Sequence, residues 1–384
     1  MIALLEPNLS PLEAKYLQSC IDTNYVSSVG PFVPRFEEVI AHKCGSEFAV
    51  AASSGTAGLH LALLSVGVES NDLVIMPSFT FIASANAISY CGAEPWLFDI
   101  DPNSWTLDPK KLGQILENEA LLDDRGNLIH VTSGRKISAI LPVYGLGLTA
   151  DMKPIVEIAQ SYNLPIVADA AAAIGATYLE KPLGQVGADV TVFSFNGNKT
   201  VTAGGGGAVI SNDKNLIEKV RHLSTTARSG KDYDHDEIGF NYRMTNLQAA
   251  VGCAQLERLE EFLLAKRSIR AAYDSALKSF SNVKPFPAPN WAKSADWISG
   301  FVIDPGDPDR ADNIRKKLVA KDIEARQFWK PVHLQKPYQN APKTSQIISE
   351  NIWQNIVALP CSSGIVQADL NRVIDEVTKL LESV

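Results

Sequence analysis

Short apolar runs separated by stretches of helical apolar period constrain this chain most, because that alternation is what a mostly parallel sheet covered by helices requires. The runs Phe48 to Ala52, Leu73 to Met76, Glu94 to Asp99, Ile137 to Val143, Pro165 to Ala168, Val190 to Phe195 and Ala208 to Ile210 read as strands. Between them, Gly58 to Val66, Ala83 to Tyr90 and Met152 to Tyr162 read as helices, the last opened by Asp151 as an N-cap. Ligands of such sheets gather in the loops at strand ends. After Thr245, the residues Leu247, Ala250, Val251, Ala254, Leu256, Leu259 and Leu263 repeat at helical spacing and predict one extended helix reaching about Arg267. Beyond it, Pro285, Pro287 and Pro289 mark a turn-rich connection, followed by a strand at Trp297 to Ile303 and a helix from Arg310 to Lys321. The expected organisation is a large α/β domain over residues 1–245, a linking helix over about 246–267, and a smaller α+β domain over 268–384.

A chain of 384 residues with 46% hydrophobic content supports two sizeable cores. Its net charge of -8 and pI near 5.4 weigh against a general nucleic-acid or anionic-membrane binder, while leaving room for a local basic pocket that takes a phosphorylated small molecule. The five cysteines are scattered without a CxxC pair, so neither a disulfide framework nor a metal site is signalled, and a reducing cytoplasm is the expected location. The segment Met1 to Pro7 lacks a basic region followed by a long apolar stretch, and no run approaches a membrane span.

The chemistry-bearing pair is Lys199, in Phe193-Ser194-Phe195-Asn196-Gly197-Asn198-Lys199-Thr200, and Asp169, in Ile166-Val167-Ala168-Asp169-Ala170. An amine that can form a Schiff base with an aldehyde, and a carboxylate that can hold a pyridine nitrogen protonated, are the two halves of pyridoxal phosphate chemistry. An isolated lysine would be a surface residue. Ser53-Ser54-Gly55-Thr56-Ala57-Gly58 follows a strand and opens a helix, where free N–H groups and the helix dipole favour a phosphate and the Thr56 hydroxyl adds a donor; alone, the motif reads more readily as a capped turn. Gly204 to Gly207 lacks the Gly-Lys-Ser/Thr ending of a phosphate loop and reads as a flexible turn from Lys199 into the strand at Ala208, its glycines relieving the crowding of backbone near a ligand. Pro77-Ser78-Phe79-Thr80-Phe81-Ile82-Ala83 offers two phenylalanines, either of which can cover a flat ring or sit in the core.

Taken jointly, these segments resemble the DegT/DnrJ/EryC1/StrS sugar aminotransferases, a family of fold-type I pyridoxal phosphate enzymes, across nearly the whole chain. Ser28 to Val33 with Phe36-Glu37, Ser54 to Ala57, Pro77 to Ala83, Asp169 to Ala171, Ser194 to Lys199 and Gly239 to Met244 recur in family order. The segments His222 to Ala227 and Phe328 to Gln335 resemble the branch that acts on UDP-linked 4-keto-6-deoxy-N-acetylhexosamines in bacillosamine and legionaminic acid pathways.

The resemblance implies that Lys199 bonds the pyridoxal 5'-phosphate aldehyde, Asp169 pairs with the ring nitrogen, Phe81 stacks on the ring, and Thr56, Ala57 and Ser194 hold the phosphate. It also implies that Asn241 reaches that phosphate from a neighbouring subunit, making the enzyme a homodimer with a shared site, and that Tyr25, Arg326, Lys330 and His333 border the nucleotide-sugar pocket. Relatives usually carry Gln, Glu or His three residues after the aspartate, and often Glu just before it; here those positions are Ala172 and Ala168. Lys199 stands where the dehydratase branch has histidine, which favours transamination from L-glutamate to the C4 ketone of a sugar nucleotide. The alternatives are a non-catalytic regulatory relative and a C3-specific enzyme acting on a dTDP-ketosugar.

Overall fold

The computed structural model describes residues 1–230 and 232–382. Beside a short antiparallel extension formed by Ala120–Leu122 and Leu128–His130, its main sheet has seven strands: β1 (Phe48–Ala52), β2 (Leu73–Pro77), β3 (Glu94–Phe98), β4 (Lys136–Ile140), β5 (Val167–Asp169), β6 (Val190–Ser194) and β7 (Gly207–Ser211). They lie in the order β3-β2-β4-β5-β6-β7-β1, with parallel bridges Ile140 to Ile166 and Val143 to Asp169 joining the two halves, and only β7 runs antiparallel. The mixed α/β class expected from the alternation is the one found.

Burial on both faces explains why these strands are continuous apolar runs. Along β2, Leu73 and Ile75 enter one core with Trp96 and Phe98, while Val74 and Met76 enter the opposite core with Leu97. Helices α1 (Pro11–Asp22) and α2 (Phe32–Cys44) belong to the first side, and α3 (Gly55–Ser65) and α4 (Ala83–Tyr90) cover the second. Next in the chain come α5 (Pro109–Glu119), α6 (Met152–Ser161) and α7 (Lys214–Ser224). Asp151 does not cap α6 as expected; its carboxylate accepts the Tyr178 hydroxyl at 2.6 Å, and that hydroxyl oxygen accepts the Lys153 N–H at 3.0 Å.

The single helix expected from Thr245 to about Arg267 is two helices, α8 (Asn246–Glu257) and α9 (Leu259–Leu277). Thr245 and Gln248 form a capping box at the start of α8. The backbone leaves helical geometry at Arg258 (φ -101°, ψ 9°), whose guanidinium turns to the Asn8 carbonyl and to Glu261. An apolar period that runs unbroken across this point conceals the break, and α9 continues past the boundary expected at residue 268. After α9 a second, three-stranded antiparallel sheet, β8 (Val283–Pro285), β9 (Ser299–Ile303) and β10 (Ile356–Leu359), packs its own apolar cluster with α9, α10 (Pro308–Val319) and α12 (Gln367–Glu382). The short α11 (Ile347–Trp353) lies between α10 and β10. Ile2 joins this cluster from the other end of the chain: its N–H donates to the Asp322 carbonyl at 2.6 Å.

One glycine is imposed by a close approach. A Cβ on Gly207 would stand 2.5 Å from the Ser54 carbonyl oxygen and 2.7 Å from the Gly55 nitrogen, where β7 meets the start of α3. Gly207→Ala is therefore expected to cost about 2 kcal/mol or more, because backbone cannot yield as a side chain does. The urea midpoint of unfolding would report the loss, and an unchanged midpoint would show that the junction is looser than described.

Candidate active site

All of the parallel strands end at one edge of the main sheet, and the side chains singled out in the sequence collect there. Asp169 is the last residue of β5, Ser194 the last of β6, Ser53 and Ser54 follow β1, and Thr80 and Phe81 follow β2. Together with the loop at Asn198 and Lys199 and with segments of the second lobe, they line a cavity of about 640 Å³.

Asp169 is only 5% exposed, and its carboxylate is held from two directions. Oδ2 accepts the Ser84 hydroxyl at 2.6 Å and Oδ1 accepts the Ala171 N–H at 3.0 Å. Burial pushes its pKa above the usual carboxylate value; the two hydrogen bonds and the Lys199 charge pull the other way. Lys199 shows the complementary effect. Burial lowers its pKa to about 8, and Asp169 opposes that shift. Its Nζ lies 3.8 Å from the centroid of the Trp297 ring. At pH 7 about one Lys199 in ten is then a free amine, against about one in 2,500 for an unperturbed lysine.

Ser54 caps α3: its Oγ accepts the Ala57 N–H at 3.0 Å, so the helix presents its N-terminus to the cavity. Thr56 lines the cavity there, as does Ser194, whose Oγ accepts the Asn196 N–H at 3.4 Å and keeps its proton for another partner. Tyr144 is also at the wall, with a buried hydroxyl that has no partner among the described residues. The two phenylalanines divide. Phe79 is 2% exposed and packs on Trp105 and Trp329, whereas Phe81 is 60% exposed and faces the cavity.

The structure thus brings Thr56, Phe81, Asp169, Ser194, Lys199 and Arg326 to one cavity and leaves the other expected residues outside its lining. Ala57 spends its N–H on Ser54. Asn241 and Tyr25 are exposed elsewhere on the surface, and Lys330 points to solvent. His333, expected at the sugar-nucleotide pocket, is 4% exposed and held inside: Nδ1 lies 2.7 Å from the Ser78 hydroxyl and Nε2 2.9 Å from Glu350. The His333 N–H also donates to Ser78 Oγ, which leaves the serine proton for Nδ1 and the Nε2 proton for Glu350. Both ring nitrogens are consumed. Arg326 reaches the cavity but is paired with Glu324, whose other oxygen accepts the Leu4 N–H at 2.8 Å. Sequence reasoning missed Ser84, although it lies three residues after Phe81 near the start of α4, and missed Trp297 and Trp329 as cavity walls, because both come from the distant lobe.

Across residues 7–378 the chain matches the model of the DegT/DnrJ/EryC1/StrS aminotransferase family. It is similar to the GDP-perosamine synthase of Caulobacter vibrioides, with 39% identity over 383 residues covering 99% of this chain and 98% of that protein. The GDP-perosamine synthase of Vibrio cholerae is 33% identical over 375 residues, covering 97% of each chain. Among solved structures, a DegT DnrJ EryC1 StrS aminotransferase from Brucella abortus superposes with a TM-score of 0.87 at 28% identity, covering 96% of this chain and 95% of that one.

Proposed function

The chain belongs to the DegT/DnrJ/EryC1/StrS aminotransferase family, and on that premise we propose that it holds pyridoxal 5'-phosphate in the cavity at the sheet edge and transfers an amino group from L-glutamate to the C4 ketone of a nucleotide-linked 4-keto-6-deoxy sugar. The observation that carries this reading is the meeting of Lys199 and Asp169 with the N-terminus of α3 in one cavity.

The donor set fits the cofactor. An amine with a lowered pKa can attack an aldehyde, a buried carboxylate can face a ring nitrogen, and a helix N-terminus with the Thr56 and Ser194 hydroxyls can take a phosphate. When bound, the cofactor supplies the electron sink that makes a bond at the donor's Cα breakable.

The remaining steps fall to the chain's own side chains. With the cofactor bound, Lys199 would be the amine that holds its aldehyde and, once freed by an incoming amine, the acid and base that carries a proton at the donor's Cα and at the sugar carbon. Burial raises the Asp169 pKa, and a cationic ring nitrogen beside it would favour the anion. Ser84 and the Ala171 N–H orient that anion. Ser84→Ala is expected to raise the Asp169 pKa further and lower kcat about tenfold, the worth of one hydrogen bond to a charged group. A fall in KM for glutamate with unchanged kcat would argue against this role. Phe81 covers one face of the ring, and Arg326 exchanges Glu324 for an anionic group of the substrate.

A GDP-linked sugar is supported by two relatives named for GDP-perosamine. A UDP-linked 4-keto-6-deoxy-N-acetylhexosamine is the second reading, favoured by the resemblance of His222 to Ala227 and Phe328 to Gln335 to that branch. A homodimer with a shared site is part of the proposal: Asn241 is exposed and lies outside the lining of its own chain's cavity, and Tyr25, Val26, Val29 and Tyr90 expose apolar surface that a second copy can cover. The five free cysteines are compatible with a cytoplasmic location. Among the described residues no helix is long and apolar enough to cross a membrane.

Supplying glutamate with GDP-, UDP- and dTDP-linked ketosugars, and identifying products by mass spectrometry and NMR, tests the reading. Amination of a GDP sugar at C4 is expected. Amination at C3 of a dTDP sugar, or of none of the panel, would overturn it.

A further inference from the structure

Trp297 lies just before β9, in the second lobe, yet its ring forms part of the cavity wall beneath Lys199. Three contacts fix it. Its Nε1–H donates to the carbonyl of Asn198, the neighbour of Lys199 in the chain, at 2.7 Å. Its own carbonyl accepts from Lys266, a buried lysine of α9, at 2.9 Å. Its ring lies nearly parallel to that of Trp329, at 22° and 6.1 Å between centroids. An indole that only filled the junction between lobes would not need its edge tied to the residue before the lysine. The face so fixed meets Nζ at 3.8 Å, within the range where an aromatic face attracts a cation.

Ala172 belongs to the same apolar cluster and also lines the cavity. An alanine there leaves room on that wall, and the indole supplies an interacting face to Lys199 that no side chain at residue 172 provides.

We propose that Trp297 is the positioning residue for Lys199: its ring holds the side-chain amine inside the cavity whenever that amine is not covalently engaged. The proposal rests on the reading of Lys199 as the reacting amine. With the amine docked on the ring between half-reactions, its reach to the reacting carbons is kept and the search for them is shortened. The charged group acting on it is Asp169, while Lys266, with Asp296 acting on it, is engaged at the Trp297 carbonyl. The ring favours the ammonium form, so its removal makes Lys199 easier to deprotonate.

The test begins with the full-length, cofactor-free chain, whose tryptophan emission is followed from about pH 6 to about pH 10 to span the titration of a perturbed lysine. An ammonium and a neutral amine perturb an adjacent indole differently. The chain has six tryptophans, so the same titration of Lys199→Met isolates the part due to Lys199. The expected result is a step with its midpoint near 8 that is lost in Lys199→Met and in Trp297→Phe. In parallel, Trp297→Met is expected to move the pH midpoint of aldehyde capture by Lys199 down by about one unit, a tenfold change in proton affinity, while Trp297→Phe keeps most of the native value. In turnover, Trp297→Met should lower kcat about tenfold with KM changed less than about twofold, and Trp297→Phe should recover most of it.

Absence of any Lys199-dependent emission step in the native chain overturns the proposal, as does a folded Trp297→Met protein with native midpoint and kcat. Should Trp297→Met fail to fold, the emission step decides alone. Because that step is read without substrate, a failure of the aminotransferase reading, seen as no product from any ketosugar, is distinct from a failure of this one.

Discussion

Lys199→Ala is expected to abolish turnover, lowering kcat by about 10⁴-fold or more, because in the proposed reaction one amine serves both as the bond to the cofactor and as the proton carrier at two carbons. Lys199→Arg separates the two things a lysine can be. It keeps the positive charge beside Asp169 and Trp297 but cannot give up its proton in the accessible pH range. The arginine variant should therefore be as inactive as the alanine variant, and substantial activity in it would mean that only charge is required. The rate at which the native cofactor-free chain captures the aldehyde should rise with pH through about 8 and level off above, since the lowered pKa is that of the attacking amine. An ordinary lysine would still be gaining reactivity two units higher. A capture profile centred above pH 10 would show that the amine sits in water.

Asp169→Asn is expected to lower kcat by about 10²- to 10³-fold, the effect of removing one member of a buried charge pair. The amide keeps the shape of the carboxylate and can still accept from Ser84, but cannot hold a ring nitrogen in its protonated state. The fold should not suffer. The carboxyl's folded pKa lies above the unfolded value of 3.8, so its contribution to stability is full below 3.8 and is lost as pH rises through the raised value. At neutral pH the buried anion is a cost that asparagine removes. The cofactor-free variant should melt no lower than the native chain at pH 7, while binding the cofactor more weakly. A large fall in melting temperature would indicate that Asp169 is held by structural contacts beyond Ser84 and Ala171.

How legible the site was depended on whether its parts were local. Strands β2 and β6 could be placed within a residue or so because both faces are buried and the apolar run has no gaps. Asp169 ends β5 and Ser194 ends β6 at the sheet edge where ligands gather, though the part of Ser194 in the site came from the family resemblance. Gly207 read as a relief of crowding near a ligand, and the crowding found is against the backbone at the start of α3. Contacts between distant residues were not legible. The partners of His333 are Ser78 and Glu350, one on the main sheet and one on α11, so nothing near it in the chain revealed that both its nitrogens were taken. Asp151 read as a cap because it precedes a helix, and the Tyr178 hydroxyl claims it instead. Trp297 faces Lys199 only because the second lobe closes over the sheet edge. The apolar period that joined α8 to α9 was real, and the break at Arg258 leaves it undisturbed because the arginine points outward to Asn8 and Glu261.

The most direct test of the central claim is the visible absorption of the full-length protein, reconstituted with pyridoxal 5'-phosphate and then given glutamate followed by a GDP-linked 4-keto-6-deoxy sugar. The account predicts a visible band that borohydride fixes covalently on Lys199, that glutamate bleaches, and that the ketosugar restores. A protein that takes up no cofactor, or whose band borohydride fixes on a different lysine, would contradict it.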